Sequence, residues 1–205
     1  MRVAPNLYPA LEHQEVVVHS PRHVRTFAEL DDDEIAAVAE TWQARGEAAR
    51  DAGFDYQHAL VNEGRAAGSS LPHSHSQLAW LHEPPPERTR ERSAGLAELL
   101  DRDDLAVAEA AGTRAVVHAC GRLPYELLIG GGEELDVTVV LMLLRECIRR
   151  LRAAEGPVPW NAWLHEDHLE VVPRLSVLAG LELGAGIYVN TVAPEDAVET
   201  LRLAG

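Results

Sequence analysis

The 205-residue chain is long enough to bury one hydrophobic core, either as a single domain or as two small halves that share one sheet. Its formal net charge is −15 and all 18 of its basic residues are arginine, without a basic patch or interleaved aromatic residues. This composition argues against nucleic acid and anionic membranes as partners, and the absence of lysine excludes a Walker-type phosphate loop and Schiff-base chemistry. Anionic substrates would need a local positive region made from arginine, histidine or backbone N–H groups.

The cysteine content and the apolar runs bear on the compartment. Cys120 and Cys147 are the only cysteines and lie far apart in the sequence, as expected of a reduced cytoplasmic protein. Residues 1–6 contain no apolar stretch of signal-peptide length, and the most apolar run, residues 137–144, is too short to span a bilayer. The sequence therefore predicts a cytoplasmic protein without a membrane partner.

The first 82 residues predict one strand, one helix and one pair of antiparallel strands. The predicted elements are a strand at 15–19, a helix from about 31 to Gly53, a strand at 56–62, a glycine-rich turn at 64–72 and a returning strand at 73–81. Acidic residues at 31–34 supply the cap and the first-turn charge of the helix, and its apolar residues recur at helical spacing.

Residues 83–92 form a proline-stiffened connector that separates an N-terminal half (1–82) from a C-terminal half (93–205). The second half predicts a helical segment at 93–111, strands at 115–119 and 125–129, a helix at 137–153, strands at 160–165 and 168–172, and a last helix at 194–203. The order of elements repeats, so the second half is interpreted as a degenerate copy of the first, with 167–170 standing where 73–76 stands.

The most informative stretch is residues 62–77, where a glycine- and serine-rich turn directly precedes a His-x-His-x-Gln alternation. In a strand, His73, His75 and Gln77 point to one face, because side chains repeat every two residues. A phosphate group held in the turn would then face imidazoles. Since neutral imidazole is a good nucleophile toward phosphorus, this pattern favours covalent nucleotidyl transfer.

Several segments together resemble the histidine-triad superfamily, in the branch of galactose-1-phosphate uridylyltransferases and adenylyl-sugar phosphorylases. The matching segments are Asn-x-Gly at Asn62 and Gly64, Gly-x-Ser at Gly68 and Ser70, His-x-His-x-Gln at 73–77, residues 6–11 with 20–23, and residues 173–190. The resemblance implies an α+β, histidine-triad-like fold with two similar halves of antiparallel strands, each with a helix, sharing one sheet.

The resemblance also implies roles for individual residues. His75 occupies the position of the nucleophile, and Gln77 would donate hydrogen bonds to phosphate without exchanging protons, which favours transfer over hydrolysis. The implied nucleotide and phosphate contacts are Asn6, Tyr8, Asn62, Gly64, Ser69, Ser70 and His73. The implied acceptor contacts are Glu182, Gly184, Gly186 and Asn190, which the partner subunit can contribute in the family's dimers. A strand histidine, a structural amide and simple glycine turns beside a strand are the alternative interpretations.

The resemblance places structural zinc ligands at His23 and His73. The family's cysteine pair lies upstream of the element found at residues 6–11, where this chain begins, and no cysteine precedes Cys120. Two histidines do not complete the four-ligand site that structural zinc needs, so no structural zinc and no required cofactor are expected, with His73 supporting His75. A second polar group comprises His165, Glu166, His168 and Glu170. There, His168 matches one ligand of an additional metal site in some relatives, and polar edge residues are the alternative.

The function expected from the resemblance is transfer of a nucleoside monophosphate from a nucleotide sugar to a sugar 1-phosphate or phosphate, within galactose and related carbohydrate metabolism, by a homodimer. Leu7 stands where the uridylyltransferases carry aspartate. In this respect the chain is more similar to the adenylyl-sugar phosphorylases. Two alternatives stay open: phosphorolysis or hydrolysis of dinucleoside polyphosphates or nucleotide sugars, and nucleotide binding without turnover.

Overall fold

The computed structural model describes residues 1–86, 88, 95–132 and 134–205, which form one nine-stranded antiparallel sheet with helices. The strands are β1 (Arg2–Pro5), β2 (His13–Val18), β3 (Tyr56–Glu63), β4 (His75–Leu81), β5 (Ala106–Ala110), β6 (Thr113–Val117), β7 (Leu127–Gly130), β8 (Trp160–Leu164) and β9 (His168–Pro173). The helices are α1 (Asp32–Asp51), α2 (Leu96–Leu100), α3 (Val137–Glu155), α4 (Gly180–Ala185) and α5 (Pro194–Leu203). The predicted α+β class is confirmed.

The sheet has the order β1-β2-β4-β3-β8-β9-β7-β6-β5, so that the two halves of the chain meet where β3 pairs with β8. A strand, a helix and two further strands recur as β2-α1-β3-β4 and as β7-α3-β8-β9, with sheet orders β2-β4-β3 and β7-β9-β8. Two similar halves therefore share one sheet. The predicted connector at 83–92 includes residues 87 and 89–92, which lie outside the described residues, so its boundaries stay a prediction.

The hydrophobic core lies between one face of the sheet and the helices α1, α3 and α5. Alternate strand residues such as Leu78 and Ile129 point into this core and are fully buried, as are Trp42 of α1 and Leu144 of α3. Because the side chains alternate, His75 and its neighbours two residues apart lie on the opposite face. Among the described residues none of the helices α1 to α5 covers that face in the N-terminal half, where it is called here the helix-free face, whereas α2 covers part of it in the C-terminal half.

The long helices begin where the sequence predicts. The Asp31 side chain accepts a hydrogen bond from the Glu34 N–H and the Glu34 side chain bonds back to the Asp31 N–H, which completes a capping box before α1. Asp136 caps α3 through the N–H groups of its first turn, and Pro194 begins α5. Among the described residues no helix combines the length and the apolar character needed to cross a membrane.

One prediction of secondary structure is wrong. Within the predicted helical segment at 93–111, of which 93–94 lie outside the described residues, α2 and a 3-10 turn at Asp103–Leu105 are helical, but residues 106–110 form strand β5. Ala111 (φ 47°) and Gly112 (φ 78°) turn the chain back so that β5 pairs with β6, and this pairing overrides the helical propensity of alanine. Glu182 and Gly184 lie in the short helix α4, so the alternative interpretation as glycine turns beside a strand does not apply to them.

Candidate active site

The turn between β3 and β4 spans residues 64–74 and is shaped by two glycines. Gly64 has a φ of 86° and Gly68 a φ of 90°, in the left-handed region that favours glycine. A Cβ atom at Gly64 would lie 2.9 Å from the Cβ of Pro159, so the close approach of the two segments also requires glycine. The Ser69 N–H donates to the Gly64 carbonyl at 3.1 Å and closes the turn.

His75 is the first residue of β4 and has one ring nitrogen committed to the backbone. Its Nδ1 lies 2.8 Å from the His73 carbonyl oxygen, which can only accept, so Nδ1 carries the proton and donates. Within the described part of the chain nothing hydrogen bonds to Nε2. The lone pair of Nε2 is therefore available to attack an electrophile, as the prediction for a nucleophilic histidine requires.

A cavity of about 810 Å3 opens beside His75, between the turn and residues 157–159. Five of the predicted phosphate-binding residues line it, namely Asn62, Gly64, Ser69, Ser70 and His73. Gly68 and His75 line it as well. The Ser69 hydroxyl donates to the Leu71 carbonyl at 2.9 Å, whereas the described residues offer no partner to the Ser70 hydroxyl. Ser70 is therefore the serine of the turn that is able to donate to a ligand.

Three arginines line the same cavity, namely Arg25, Arg65 and Arg152. Within the described part of the chain none of their guanidinium groups forms a salt bridge or side-chain hydrogen bond, whereas Arg22, Arg45 and Arg145 are each paired with a carboxylate. The cavity is therefore a local positive region in a chain of net charge −15. Sequence reasoning predicted the need for such a region but assigned none of the three to it. Arg65 lies inside the turn without a role of its own in the motif, and Arg152 comes from the end of α3, far away in sequence.

Glu63 is a partly buried carboxylate at the start of the turn. It accepts hydrogen bonds from the Thr26 hydroxyl at 2.6 Å and from the Phe27 N–H at 2.7 Å. Burial raises its pKa, while these two donors and the nearby charge of Arg152 oppose that shift. Both of its oxygens are engaged, so Glu63 anchors the end of β3 against residues 26–27.

Asn62 is oriented by a residue of the C-terminal half. The Nδ2 of Asn161 in β8 donates to the Asn62 Oδ1 at 2.7 Å and to the Ala67 carbonyl at 2.8 Å. Arg174 in turn donates to the Asn161 Oδ1 at 3.3 Å. Since the Asn62 oxygen is engaged as an acceptor, its NH2 group is left to donate into the cavity. Sequence reasoning missed Asn161, whose one signal is its place in the strand that pairs with β3.

Gln77 lies two residues beyond His75 on the same face and does not line the cavity. Its Oε1 accepts a hydrogen bond from the Gln14 Nε2 at 2.6 Å. Asn6 and Tyr8 lie in the loop between β1 and β2, where the Tyr8 N–H donates to the Asn6 Oδ1 at 3.0 Å and the Tyr8 side chain is exposed. Gln14 therefore connects this loop with Gln77.

The predicted acceptor residues are not brought to the cavity within one chain. Glu182 accepts a hydrogen bond from the Ala179 N–H at 2.8 Å and caps α4, a helix that buries none of its residues. Asn190 donates to the carbonyl oxygens of Gly121 and Leu123 at 3.2 and 3.3 Å. Gly184 and Gly186 lie at the end of α4 in open space. A role in acceptor binding stays a prediction for all four.

His23 and His73 lie edge to face with ring centroids 6.1 Å apart. The Nδ1 of His73 is 3.1 Å from the Ser74 carbonyl oxygen and its Nε2 is 2.8 Å from the Arg22 carbonyl oxygen. A zinc ion at His73 would have to displace one of these oxygens. The described residues offer no third histidine, cysteine or carboxylate there, and the expectation of no structural zinc stays a prediction.

A second buried group, called here the β9 cluster, comprises His165, His168 and Glu170. Candidate ligand atoms on these three residues lie within 4.8 Å of one another. His168 Nδ1 is 2.8 Å from Asp167 Oδ1, and His165 Nδ1 is 3.1 Å from the Tyr56 hydroxyl. Glu170 forms an ion pair with Arg122, which also pairs with Glu126.

His19 lies behind the turn, fully buried against the ring of Phe27. Its Nδ1 is 2.9 Å from the Ser74 hydroxyl oxygen. Burial, followed by the nearby imidazoles of His75 and His73, lowers the pKa of His19 to about 3. His19 is therefore neutral at physiological pH and adds no charge next to His75.

Comparison with known proteins is consistent with this geometry. Residues 10–84, which include the turn and His75, match the family model of the galactose-1-phosphate uridyl transferase N-terminal domain. An ADP-glucose phosphorylase of Arabidopsis thaliana is 23% identical over an alignment 262 positions long, gaps included, which covers 98% of this chain and 74% of that protein. The resemblance predicted from the motifs is confirmed.

Solved structures show the same architecture. The crystal structure of an ADP-glucose phosphorylase from Arabidopsis thaliana with bound ADP-glucose has a TM-score of 0.85 at 24% identity, covering 98% of this chain and 80% of that one. A uridylyltransferase structure has a TM-score of 0.89 at 21% identity, covering 99% and 84%. The chain therefore has the fold of these structures, and the part of it that is similar to the galactose-1-phosphate uridyl transferase N-terminal domain is residues 10–84.

Proposed function

We propose that the protein is a nucleotidyltransferase that moves a nucleoside monophosphate from a nucleotide sugar to phosphate or a sugar 1-phosphate through a covalent nucleotidyl-His75. The observation that carries this proposal is the state of the His75 ring. Its Nδ1 donates to the His73 carbonyl, and its Nε2 is left unbonded at the wall of a cavity lined by the glycine- and serine-rich turn. This arrangement supports nucleophilic attack on phosphorus.

The reaction takes two displacements at one phosphorus atom. His75 Nε2 attacks the α-phosphorus of the nucleotide sugar, an N–P bond forms, and the bond to the bridging oxygen breaks so that sugar 1-phosphate leaves. An oxygen of the second phosphate then attacks the same phosphorus, and the N–P bond breaks to restore His75. No redox step occurs and no resident cofactor is required.

The neighbouring groups supply donors for the negative oxygens. Asn62 and Ser70 present an NH2 group and a hydroxyl to the cavity, and the arginines that line it supply positive charge for a diphosphate. Gln77 contributes an amide that cannot transfer a proton, which favours collection of the nucleotide by a second phosphate over hydrolysis.

The similarity to ADP-glucose phosphorylase supports ADP-glucose as the donor and phosphate as the acceptor. The most direct assay combines the protein with ADP-glucose and radiolabelled phosphate and separates the products. Equal amounts of labelled ADP and unlabelled glucose 1-phosphate are expected, because the labelled phosphate becomes the β-phosphate of ADP. AMP formed without any acceptor would identify a hydrolase, and tight ADP-glucose binding without products would identify a nucleotide-binding protein. UDP-glucose with galactose 1-phosphate tests the uridylyl alternative and a place in galactose metabolism.

A second candidate, phosphorolysis of dinucleoside polyphosphates, is favoured by the number of unpaired arginines. Arg25, Arg65 and Arg152 exceed what the two phosphates of a nucleotide sugar need. A yeast Ap4A phosphorylase shares the fold with a TM-score of 0.54 at 17% identity. Competition between diadenosine tetraphosphate and ADP-glucose at equal concentration decides which substrate has the larger kcat/KM.

We further propose a cytoplasmic homodimer. Cys120 and Cys147 are both free thiols, which supports a reducing compartment. The segment around α4 exposes large apolar side chains, with Val177 at 87% and Leu183 at 74%. A second copy would cover this surface and bring Glu182, Gly184, Gly186 and Asn190 toward the partner's cavity. Light scattering during gel filtration should give a dimer mass, and Leu183→Glu should give the monomer mass.

A further inference from the structure

Gln14 and Gln77 are diagonal neighbours on the helix-free face of the sheet. The register of β2 against β4 pairs Gln14 with Ala79 and Val16 with Gln77. Across this diagonal the Gln14 Nε2 donates to the Gln77 Oε1 at 2.6 Å. The Gln14 Oε1 accepts in turn from the Ala10 N–H at 2.9 Å. The two amides and the loop between β1 and β2 therefore form one hydrogen-bonded chain.

The direction of this chain follows from donor and acceptor chemistry. The backbone N–H of Ala10 can only donate, so Gln14 must face it with its oxygen. The NH2 group of Gln14 then faces Gln77, which must present its own oxygen in return. As a result, the NH2 group of Gln77 is turned away from Gln14 and left to donate elsewhere.

We propose that Gln14 is a positioning residue that sets the orientation of the Gln77 amide for phosphate binding. The proposal rests on the proposed function, in which Gln77 donates to a phosphate that is transferred through His75. A phosphate oxygen can only accept, so a rotated Gln77 would place its carbonyl oxygen against a negative charge. Gln14 prevents this rotation without touching the substrate.

The same chain couples Gln77 to the loop in which Asn6 and Tyr8 lie. Besides the Ala10 contact, the Asn6 N–H donates to the Gln14 carbonyl at 2.8 Å. Ordering of the loop by a nucleotide therefore also orders the side chain that orients Gln77. This coupling makes the amide orientation sensitive to occupancy of the loop.

The variant Gln14→Glu tests the proposal with little change in shape. The carboxylate still accepts from Ala10 but cannot donate to the Gln77 oxygen, so the NH2 group of Gln77 rotates toward it. We expect kcat for nucleotidyl transfer to fall about 10- to 100-fold with a smaller change in KM, since one donor to the transition state is misdirected. Gln43→Glu on the exposed side of α1 adds the same charge away from the site and is expected to leave kcat unchanged.

A double-mutant cycle separates positioning from a general structural effect. If Gln14 acts only through Gln77, then Gln14→Glu should change kcat by less than about 2-fold in a Gln77→Ala background. Equal losses in both backgrounds, or an unchanged kcat in Gln14→Glu alone, would overturn the proposal. Unfolding midpoints of all variants check that each one folds.

A structural measurement keeps the proposal independent of turnover. In two-dimensional 15N–1H NMR spectra, the Gln77 side-chain NH2 signals are assigned by their loss in Gln77→Ala. They should exchange quickly with water in the wild type and become protected in Gln14→Glu. If the wild type forms no covalent adduct, the proposed function fails. Unchanged exchange in Gln14→Glu would instead reject the positioning role.

Discussion

Strands β4 and β9 hold equivalent places in the two halves of the sheet, but only β4 faces an open cavity. His75 begins β4 opposite Val18 of β2, and His168 begins β9 opposite Gly130 of β7. Both histidines lie on the same face, but the strand registers place His75 level with Val172, four residues along β9 from His168. Three strand spacings across the sheet and four residues along it separate the two histidines by roughly 20 Å. The strand alone therefore does not make a candidate active site.

The difference lies in the turn that precedes each strand and in the charge that faces each histidine. Eleven residues (64–74) precede β4 and form one wall of the cavity, whereas three residues (165–167) precede β9. Next to His75 the strand carries the neutral amide of Gln77, and next to His168 it carries Glu170 paired with Arg122. A wide turn beside a cavity lined by three arginines makes a ligand site, while a tight turn followed by an ion-paired glutamate makes a buried polar core.

Matched substitutions of the two histidines should give the largest difference in kcat. His75→Asn removes the nucleophile and should lower kcat for transfer by at least about 10^3-fold. His168→Asn should leave kcat within about 10-fold, because His168 lies roughly 20 Å from His75 and does not line its cavity. Steady-state assays with ADP-glucose and phosphate check both. Retention of a tenth of the wild-type kcat in His75→Asn would contradict this account.

Removing one partner of the buried ion pair should affect stability in the β9 cluster. Glu170→Gln removes the charge that Arg122 faces in β9, while the pair of Arg122 with Glu126 stays, and should lower the free energy of unfolding by about 2 kcal/mol. As a control, Glu146→Gln breaks the more exposed pair with Arg150 and should cost less than about 0.5 kcal/mol. Urea unfolding curves measure both free energies. Equal losses would show that the less exposed carboxylate of Glu170 does not make its ion pair more stabilising than the pair of Glu146 with Arg150.

Alanine substitutions at two glycines of the turn test its tight packing. Gly64→Ala adds strain from φ 86° and a 2.9 Å contact with Pro159, whereas Gly68→Ala at φ 90° meets nothing within 4 Å. Both should destabilise the fold by about 1 kcal/mol through backbone strain, and Gly64→Ala by about 1–2 kcal/mol more. Only Gly64→Ala should also raise KM for ADP-glucose. Equal KM values would indicate that Pro159 can move away without disturbing the site.

The smallest expected effect near neutral pH is that of His19 on the free energy of unfolding. Its pKa is about 3 in the folded state and near 6.5 when unfolded, so the unfolded chain binds the extra proton between these values. This contribution to stability is complete above pH 6.5 and is lost as pH falls toward 3, by about 1.4 kcal/mol per pH unit. His19→Asn should reduce that slope by one proton in urea unfolding between pH 7.5 and 4.5. An unchanged slope would mean that His19 is not responsible.

Local sequence signals were sufficient for the elements that carry His75. The capping box at Asp31, the alternation in β4 and the glycines of the turn act over a few residues, so each can be predicted without the rest of the chain. The strand β5 was missed because pairing with β6, which the sequence does not display, decides between strand and helix for an alanine-rich stretch. The predicted equivalence of 167–170 with 73–76 is shifted by one residue. The strand pairing places His168, and not Leu169, at the position equivalent to His75.

The contacts that orient the site depend on tertiary structure and were not predictable. Asn161 reaches Asn62 across the boundary between the halves, 99 residues apart. Gln14 reaches Gln77 over 63 residues, and its role depends on which atom of each amide faces the other. Arg152 enters the cavity from the end of a helix that buries its other face. Side chains of this kind have no spacing signature, because the sheet order brings them together.

The most direct test of the central claim is the intact mass of the protein after incubation with ADP-glucose and, separately, with UDP-glucose. A mass gain equal to AMP or UMP, lost in acid and absent in His75→Asn, is the predicted result and also identifies the base. Folded protein that gains no mass from either donor, or a gain that persists in His75→Asn, would contradict the assignment of His75 as the nucleophile.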